Sequence, residues 1–140
     1  MMIVVFDLDF TLVDRYATTV RPGMVDLLES LAADGHGLGL WTAASRHRTD
    51  NIFSFHSLGR HFDPVVCRGD PLSEQAEGKK DIRLIDGAFL VDDEAEQIDY
   101  VRGLGLEGFV VSRFDGDPIL DDNELVRLAD MIAVANKGGD

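Results

Sequence analysis

Positive charge is scarce in this sequence. Its 140 residues include 13 Lys and Arg against 26 Asp and Glu, a formal net charge of −13. A nonspecific nucleic-acid binder or an anionic-membrane binder needs a basic face, and this balance argues against both. A local basic pocket is still allowed. Cysteine is scarcer: Cys67 stands alone, so neither an internal disulfide nor a cysteine-rich zinc site is possible within the chain. His36, His47, His56 and His61 share no ligand spacing, and no zinc site follows from them. Long apolar runs are lacking too. The opening residues, Met1 to Asp7, have no basic start, and their apolar run is far too short for a signal peptide or a membrane span. The expectation is a cytoplasmic protein without membrane attachment. Its length suits one domain with one core and is too short for two.

What the sequence does contain is an alternation of short apolar runs with amphipathic stretches, the pattern of an α/β fold with a mainly parallel sheet. Strands are expected at 3–7, 37–42, 65–67, 88–91 and 108–112. The first is almost wholly apolar, as when helices cover both sheet faces. Helices are expected at 22–33, 45–57, 80–85, 94–103 and 122–135, with a polar loop over 69–78. Leu27, Leu28, Leu31 and Ala32 form the expected buried stripe of the first helix. Pro22 suits a first helical turn, and Asp34-Gly35 a stop. The acidic start of the last helix suits its positive end. Residues 1–135 read as a single domain and 136–140 as a flexible tail.

The chemistry gathers at the ends of the strands. Asp7-Leu8-Asp9-Phe10-Thr11 closes the first one, and in open α/β sheets the carboxyl ends of strands line the ligand crevice. Two carboxylates this close repel unless a proton or a cation separates them, and Mg²⁺ takes oxygen ligands of this kind. A solvated strand end is the plainer alternative. An EF-hand loop is excluded, since no glycine stands at its sixth position. The second strand ends in Thr42, followed by Ala43, and the fourth in Asp92-Asp93-Glu94. Lys79-Lys80 supplies two of only three lysines and precedes a helix, where a cation is poorly placed for purely structural reasons. Arg46, Arg48 and Arg68 follow strands closely, so each can meet an anionic ligand or simply face solvent. Cys67 reads as a small buried hydrophobe.

The order Asp7-x-Asp9-x-Thr11, Thr42, Lys80, Asp92-Asp93 resembles the haloacid dehalogenase (HAD) superfamily. Arg21-Pro22-Gly23, Leu40-Trp41-Thr42-Ala43-Ala44, Lys80-Asp81-Ile82, Val91-Asp92-Asp93, Phe114-Asp115-Gly116-Asp117 and Asp121-Asp122-Asn123-Glu124-Leu125 extend the likeness toward the FCP/SCP-type, or NLI-interacting-factor-like, phosphatases. That subgroup has a glutamate where Phe10 stands and an Asp-Asn pair where Asp92-Asp93 stands. The resemblance implies a Rossmann-like three-layer sandwich on a mainly parallel five-stranded sheet. It implies Asp7 as nucleophile forming an aspartyl-phosphate, and Asp9 as general acid and then base. It implies Mg²⁺ on the Asp7 side chain, the Asp9 carbonyl and Asp93, with Asp92 orienting Lys80 or a metal-bound water, or itself a ligand. Thr42, Ala43 and Lys80 would bind the phosphoryl group, with Arg46 and Arg68 as further candidates.

Family members acting on small metabolites usually carry a cap domain, and this sequence has no room for one: about ten residues separate Thr11 from Pro22, and about 36 separate Thr42 from Lys80. In the family an open site implies a large substrate, such as a phosphoprotein or a polynucleotide end, or help from a partner subunit; the acidic charge favours the phosphoprotein, with small phosphorylated metabolites or nucleotides as the second reading. A non-catalytic phosphate- or partner-binding module is the third. The intact set Asp7, Asp9, Thr42, Lys80 and Asp93 argues against it.

Overall fold

The computed structural model describes residues 1–119 and 121–139. Five strands, β1 (Ile3–Phe6), β2 (Gly37–Ser45), β3 (Val65–Arg68), β4 (Gly87–Asp92) and β5 (Glu107–Val110), form one sheet in the order β3-β2-β1-β4-β5. Every pairing is parallel. Helices α1 (Met24–Ala33), α2 (Arg46–His56), α3 (Pro71–Gln75), α4 (Ala95–Gly103) and α5 (Glu124–Gly139) connect and cover them. Alternate residues of β1 serve opposite layers, as strand geometry requires. Val4 and Phe6 pack with Leu27, Leu28, Ile52, Leu128 and Ile132 from α1, α2 and α5. Val5 packs with Ile82, Ile85, Ile98 and Val101 on the other face. The result is a three-layer α/β sandwich with no further domain inserted between its strands. No described helix is long and apolar enough to cross a membrane.

Several elements differ from the sequence expectation for identifiable reasons. β2 runs on to Ser45, whose hydroxyl accepts the Arg48 amide and starts α2. Residues 69–78 contain the short helix α3, opened by Pro71; five residues are too few to display a helical period. The segment 80–85 is a 3₁₀ turn over Ile82–Ile85. In α1, Leu27, Leu28 and Leu31 are buried but Ala32 is exposed, one step outside the stripe. α5 continues through residue 139, past Ala135; residue 140 of the expected tail lies outside the described residues.

The chain leaves the central strand β1 first toward β2 and later returns to β4 on its other side. A crevice therefore opens above β1 and β4, where the connections diverge. The strands are tightly stacked at the opposite end. A Cβ added at Gly87 would lie 2.7 Å from Val5 Cγ2, 2.9 Å from Ile82 Cβ and 3.0 Å from the Ile82 carbonyl. Gly87→Ala should therefore cost about 1–3 kcal/mol through overpacking. Urea denaturation checks this; an unchanged midpoint would contradict the packing described.

Candidate active site

β1 ends one residue before Asp7, whose amide donates to the Val91 carbonyl of β4 at 3.0 Å. The chain then curls into a single turn. The amides of Thr11, Leu12 and Val13 all point at the Leu8 carbonyl, and Phe10 adopts φ 65°. That left-handed geometry is uncommon for a residue with a Cβ, and it needs support from its surroundings. Arg21 supplies the support from beneath. Its buried guanidinium donates to the carbonyls of Phe10 (3.1 Å), Thr11 (2.7 Å) and Ser112 (2.5 Å), and to Glu124 Oε1 (3.1 Å). Glu124, at the start of α5, also accepts the amide and hydroxyl of Ser112 at 2.9 and 2.7 Å. One buried ion pair thus binds the turn after β1 to the segment after β5 and to α5.

This turn brings the carboxylates together. Lys80 Nζ lies 2.8 Å from Asp7 Oδ1 and 2.5 Å from Asp92 Oδ2, and all three side chains are buried. The other oxygen of Asp92 accepts the Glu94 amide at 3.0 Å. The Thr11 hydroxyl lies 3.2 Å from Asp7 Oδ2 and 3.4 Å from Asp93 Oδ1. A cavity of about 310 Å³ opens above this cluster. Asp7, Asp9, Phe10, Thr42, Ala43, Arg68, Lys80 and Asp93 line it, joined by Trp41, Ser73, Gly78, Glu94 and Gln97. Thr42 accepts the Ala44 amide at 3.0 Å, which leaves its hydroxyl proton available to a ligand oxygen.

The charges explain one another. Burial pushes the Asp7 carboxyl up to about 6, against the opposing pull of Lys80, and nearby Asp93 adds to the rise. Burial also raises Asp92, reinforced by Asp7, and raises Asp93, where the Asp92 charge contributes further. Burial disfavours the Lys80 ammonium, but Asp7 and Asp92 outweigh it and hold Lys80 above its ordinary value. One lysine faces three carboxylates, so full ionisation leaves an excess of negative charge. A hard divalent cation would offset that excess, and Asp7, Asp92 and Asp93 each offer an oxygen within 4.8 Å of the others. The donor set is all oxygen and fits Mg²⁺. Within it, Asp7 and Asp93 face the cavity, whereas both oxygens of Asp92 are engaged by Lys80 and the Glu94 amide.

The structure separates some residues that the sequence groups together. Arg46 does not reach the cavity; its guanidinium is held by Asp70 at 2.5 Å and the Val65 carbonyl at 3.0 Å. A phosphate ligand would have to compete with that pair. Arg48 donates instead to Asp9 Oδ1 at 2.7 Å and to the Arg15 carbonyl at 3.2 Å. Gln97 was not among the candidates, yet it accepts the Lys80 amide at 3.0 Å and donates to the Gly78 carbonyl. Nothing in its helical context marks it. The bridging role of Thr11 was likewise unassigned, although its place in the Asp-x-Asp-x-Thr run was the available signal.

No family model matches the chain, and no curated protein sequence matches it significantly. Solved structures do. A haloacid dehalogenase-like family hydrolase from Streptococcus pneumoniae superposes with a TM-score of 0.63 at 14% identity, covering 91% of this chain and 90% of that one. The fission yeast RNA polymerase II CTD phosphatase Fcp1, bound to beryllium fluoride, gives 0.60 at 15% identity over 96% of this chain and 50% of its own. A chain of the Pnkp1/Rnl/Hen1 complex gives 0.62 at 23% identity over 81% of this chain and 47% of its own. This chain shares their fold.

The charge balance has measurable consequences. The folded value of Asp7 lies above its unfolded one, so its proton stabilises the fold below about pH 4, and that contribution is lost as pH rises through about 6. Without divalent metal, Asp7→Asn should therefore be more stable than the parent at pH 7.5 by up to about 3 kcal/mol. The difference should close near pH 4. Mg²⁺ at about 100 times its Kd should stabilise the parent by about 2.7 kcal/mol and have far less effect on Asp93→Asn. Thermal melts with and without Mg²⁺ decide both points; an equal Mg²⁺ shift in Asp93→Asn would remove Asp93 from the metal site.

Proposed function

We propose that this chain is a haloacid dehalogenase-type phosphatase that hydrolyses phosphomonoesters through an aspartyl-phosphate on Asp7. The observation that carries the reading is the buried Lys80 held between Asp7 and Asp92 at the floor of a cavity that also presents Thr42 and Asp93. A phosphoryl group needs a carboxylate nucleophile, cationic and hydroxyl donors for its equatorial oxygens, and an acid for the leaving alkoxide. All are present around one cavity.

In this reading an Asp7 oxygen attacks phosphorus in line with the leaving group. The phosphorus–alkoxide bond breaks, and Asp9 donates a proton to the departing oxygen. Arg48 holds Asp9 Oδ1, so the exchanging proton resides on the other oxygen, Oδ2. Asp9, now ionised, takes a proton from a water that attacks the phosphoaspartate, and Asp7 is released as a carboxylate with inorganic phosphate. Lys80 and Thr42 bind the phosphoryl oxygens throughout. Asp7 and Asp93, with the Asp9 carbonyl, would hold Mg²⁺, which when bound offsets the carboxylate charge and polarises a phosphoryl oxygen.

The absence of an inserted domain above the cavity supports a phosphate carried on a large molecule, a phosphoprotein among them. A small phosphorylated metabolite is the second reading, favoured by the modest volume of about 310 Å³, at the low end for ligand pockets. The expected behaviour is Mg²⁺-dependent release of p-nitrophenol from p-nitrophenyl phosphate. Asp7→Asn should reduce it to background, and Asp9→Asn should lower kcat by about 10²–10⁴-fold. Turnover that persists without divalent metal, or full activity in Asp7→Asn, would falsify the mechanism.

A further inference from the structure

Seven of the ten arginines are paired with carboxylates: Arg15, Arg21, Arg46, Arg48, Arg60, Arg83 and Arg127. Arg102 donates to the Gly108 carbonyl. Among the described residues, Arg68 and Arg113 are the two arginines whose side chains have neither an ion pair nor a hydrogen bond. In a chain with twice as many acids as bases, exposed cations rarely lack a partner by scarcity of carboxylates. One of them lines the cavity, and the other stacks on a residue that does. Arg68 ends β3 and lines it. Arg113 lies with its guanidinium carbon 3.7 Å from the centre of the Phe10 ring, and that ring is a wall of the same cavity.

We infer that Arg68 and Arg113 recognise a second anionic group, a carboxylate or another phosphate, on the leaving-group part of the substrate. This rests on the phosphatase reading above. The scissile phosphoryl group is already served by Lys80 and Thr42 at the cavity floor, so an exposed guanidinium in its lining and a second one stacked on Phe10 are surplus to that role. Guanidinium groups match carboxylate and phosphate oxygens bidentately. Stacking on Phe10 orders Arg113 without using its N–H donors or cancelling its charge. Of the other acids lining the cavity, Asp7 and Asp93 belong to the carboxylate cluster and Asp9 is paired with Arg48, while Glu94 stands at the N-terminal end of α4, where the helix terminus favours an anion.

Two pairs of substrates test this, each differing by one carboxylate. The first is phenyl phosphate and 3-carboxyphenyl phosphate. The second is a phosphoserine peptide with Ala or with Asp after the phosphoserine. They separate a small-molecule source of the second anion from a peptide one. At matched ionic strength with Mg²⁺, the parent should prefer the carboxylate in at least one pair by about tenfold in kcat/KM, mostly through KM. In the Arg68→Gln/Arg113→Gln double variant the ratio should fall to within about twofold of one, and Lys at both positions should restore part of it. No preference in either pair, or one that survives in the double variant, overturns the inference while leaving a phosphatase. If the parent hydrolyses none of the four, the phosphatase reading fails and this inference fails with it.

Discussion

The buried ammonium of Lys80 is the contact on which the site depends. Asp7 directly follows β1 and Asp92 ends the neighbouring parallel strand β4, and the Asp7 amide donates to the carbonyl of the residue before Asp92. The sheet therefore forces two carboxylates side by side in a desolvated place. Each would resist ionising there alone, and together they resist more strongly. Lys80 stands against both, fixed through its backbone by Gln97. Removing Lys80 would leave the two carboxylates as uncompensated buried charge, the costliest kind of loss. The arrangement is a cost to stability that the rest of the fold must offset, and it is the reason a cation or a phosphate has something to meet.

A second layer of interactions holds that arrangement in register. Asp7 and Asp9 act at one cavity only because the chain turns immediately after β1, with Phe10 in a left-handed conformation. The turn's exposed carbonyls would be poorly satisfied in a buried setting. Arg21 takes two of them, and Glu124 neutralises Arg21 while gripping Ser112. Charge buried behind the cavity wall thus sets the shape of the backbone that presents the carboxylates to it. Phe114 completes the support: its amide donates to the Phe10 carbonyl, and its ring lies beside the Arg21 guanidinium.

The strands and the site carboxylates were legible because each depends on neighbours in sequence. A run such as Ile3-Val4-Val5-Phe6 is apolar throughout only when both faces of its strand are covered, and Asp7 follows it directly. The supports were not legible, because each joins distant segments. Arg21 and Glu124 are 103 residues apart, Lys80 and Gln97 17, Arg48 and Asp9 39. No local period announces them. Arg46 and Arg48 show the limit well. They sit two residues apart on the same helix, and sequence treats them alike. The helix turns one toward Asp70 and the other toward Asp9. The short helix α3 was hidden for a different reason: a segment of one turn has no periodicity to read.

The net charge of −13 gains a local meaning from this distribution. At long range an acidic molecule repels phosphorylated ligands, and the repulsion is screened within roughly 8–10 Å at physiological salt. Inside the cavity the relevant sum is different. Lys80 already stands against the buried carboxylates, and a divalent cation would reverse the remaining imbalance over a few ångströms in a low-dielectric place, where Coulomb energies are far larger than at the surface. On the proposed reading, carboxylates that contribute to the acidity of the chain would hold the metal, and the bound metal would make the cavity favourable to phosphate. An acidic exterior around such a spot disfavours long polyanions, whose many charges must approach the whole surface, more than a ligand whose charge is confined to the cavity. On the proposed reading, the contrast between the two length scales would favour compact anions over extended ones, without any contact devoted to exclusion.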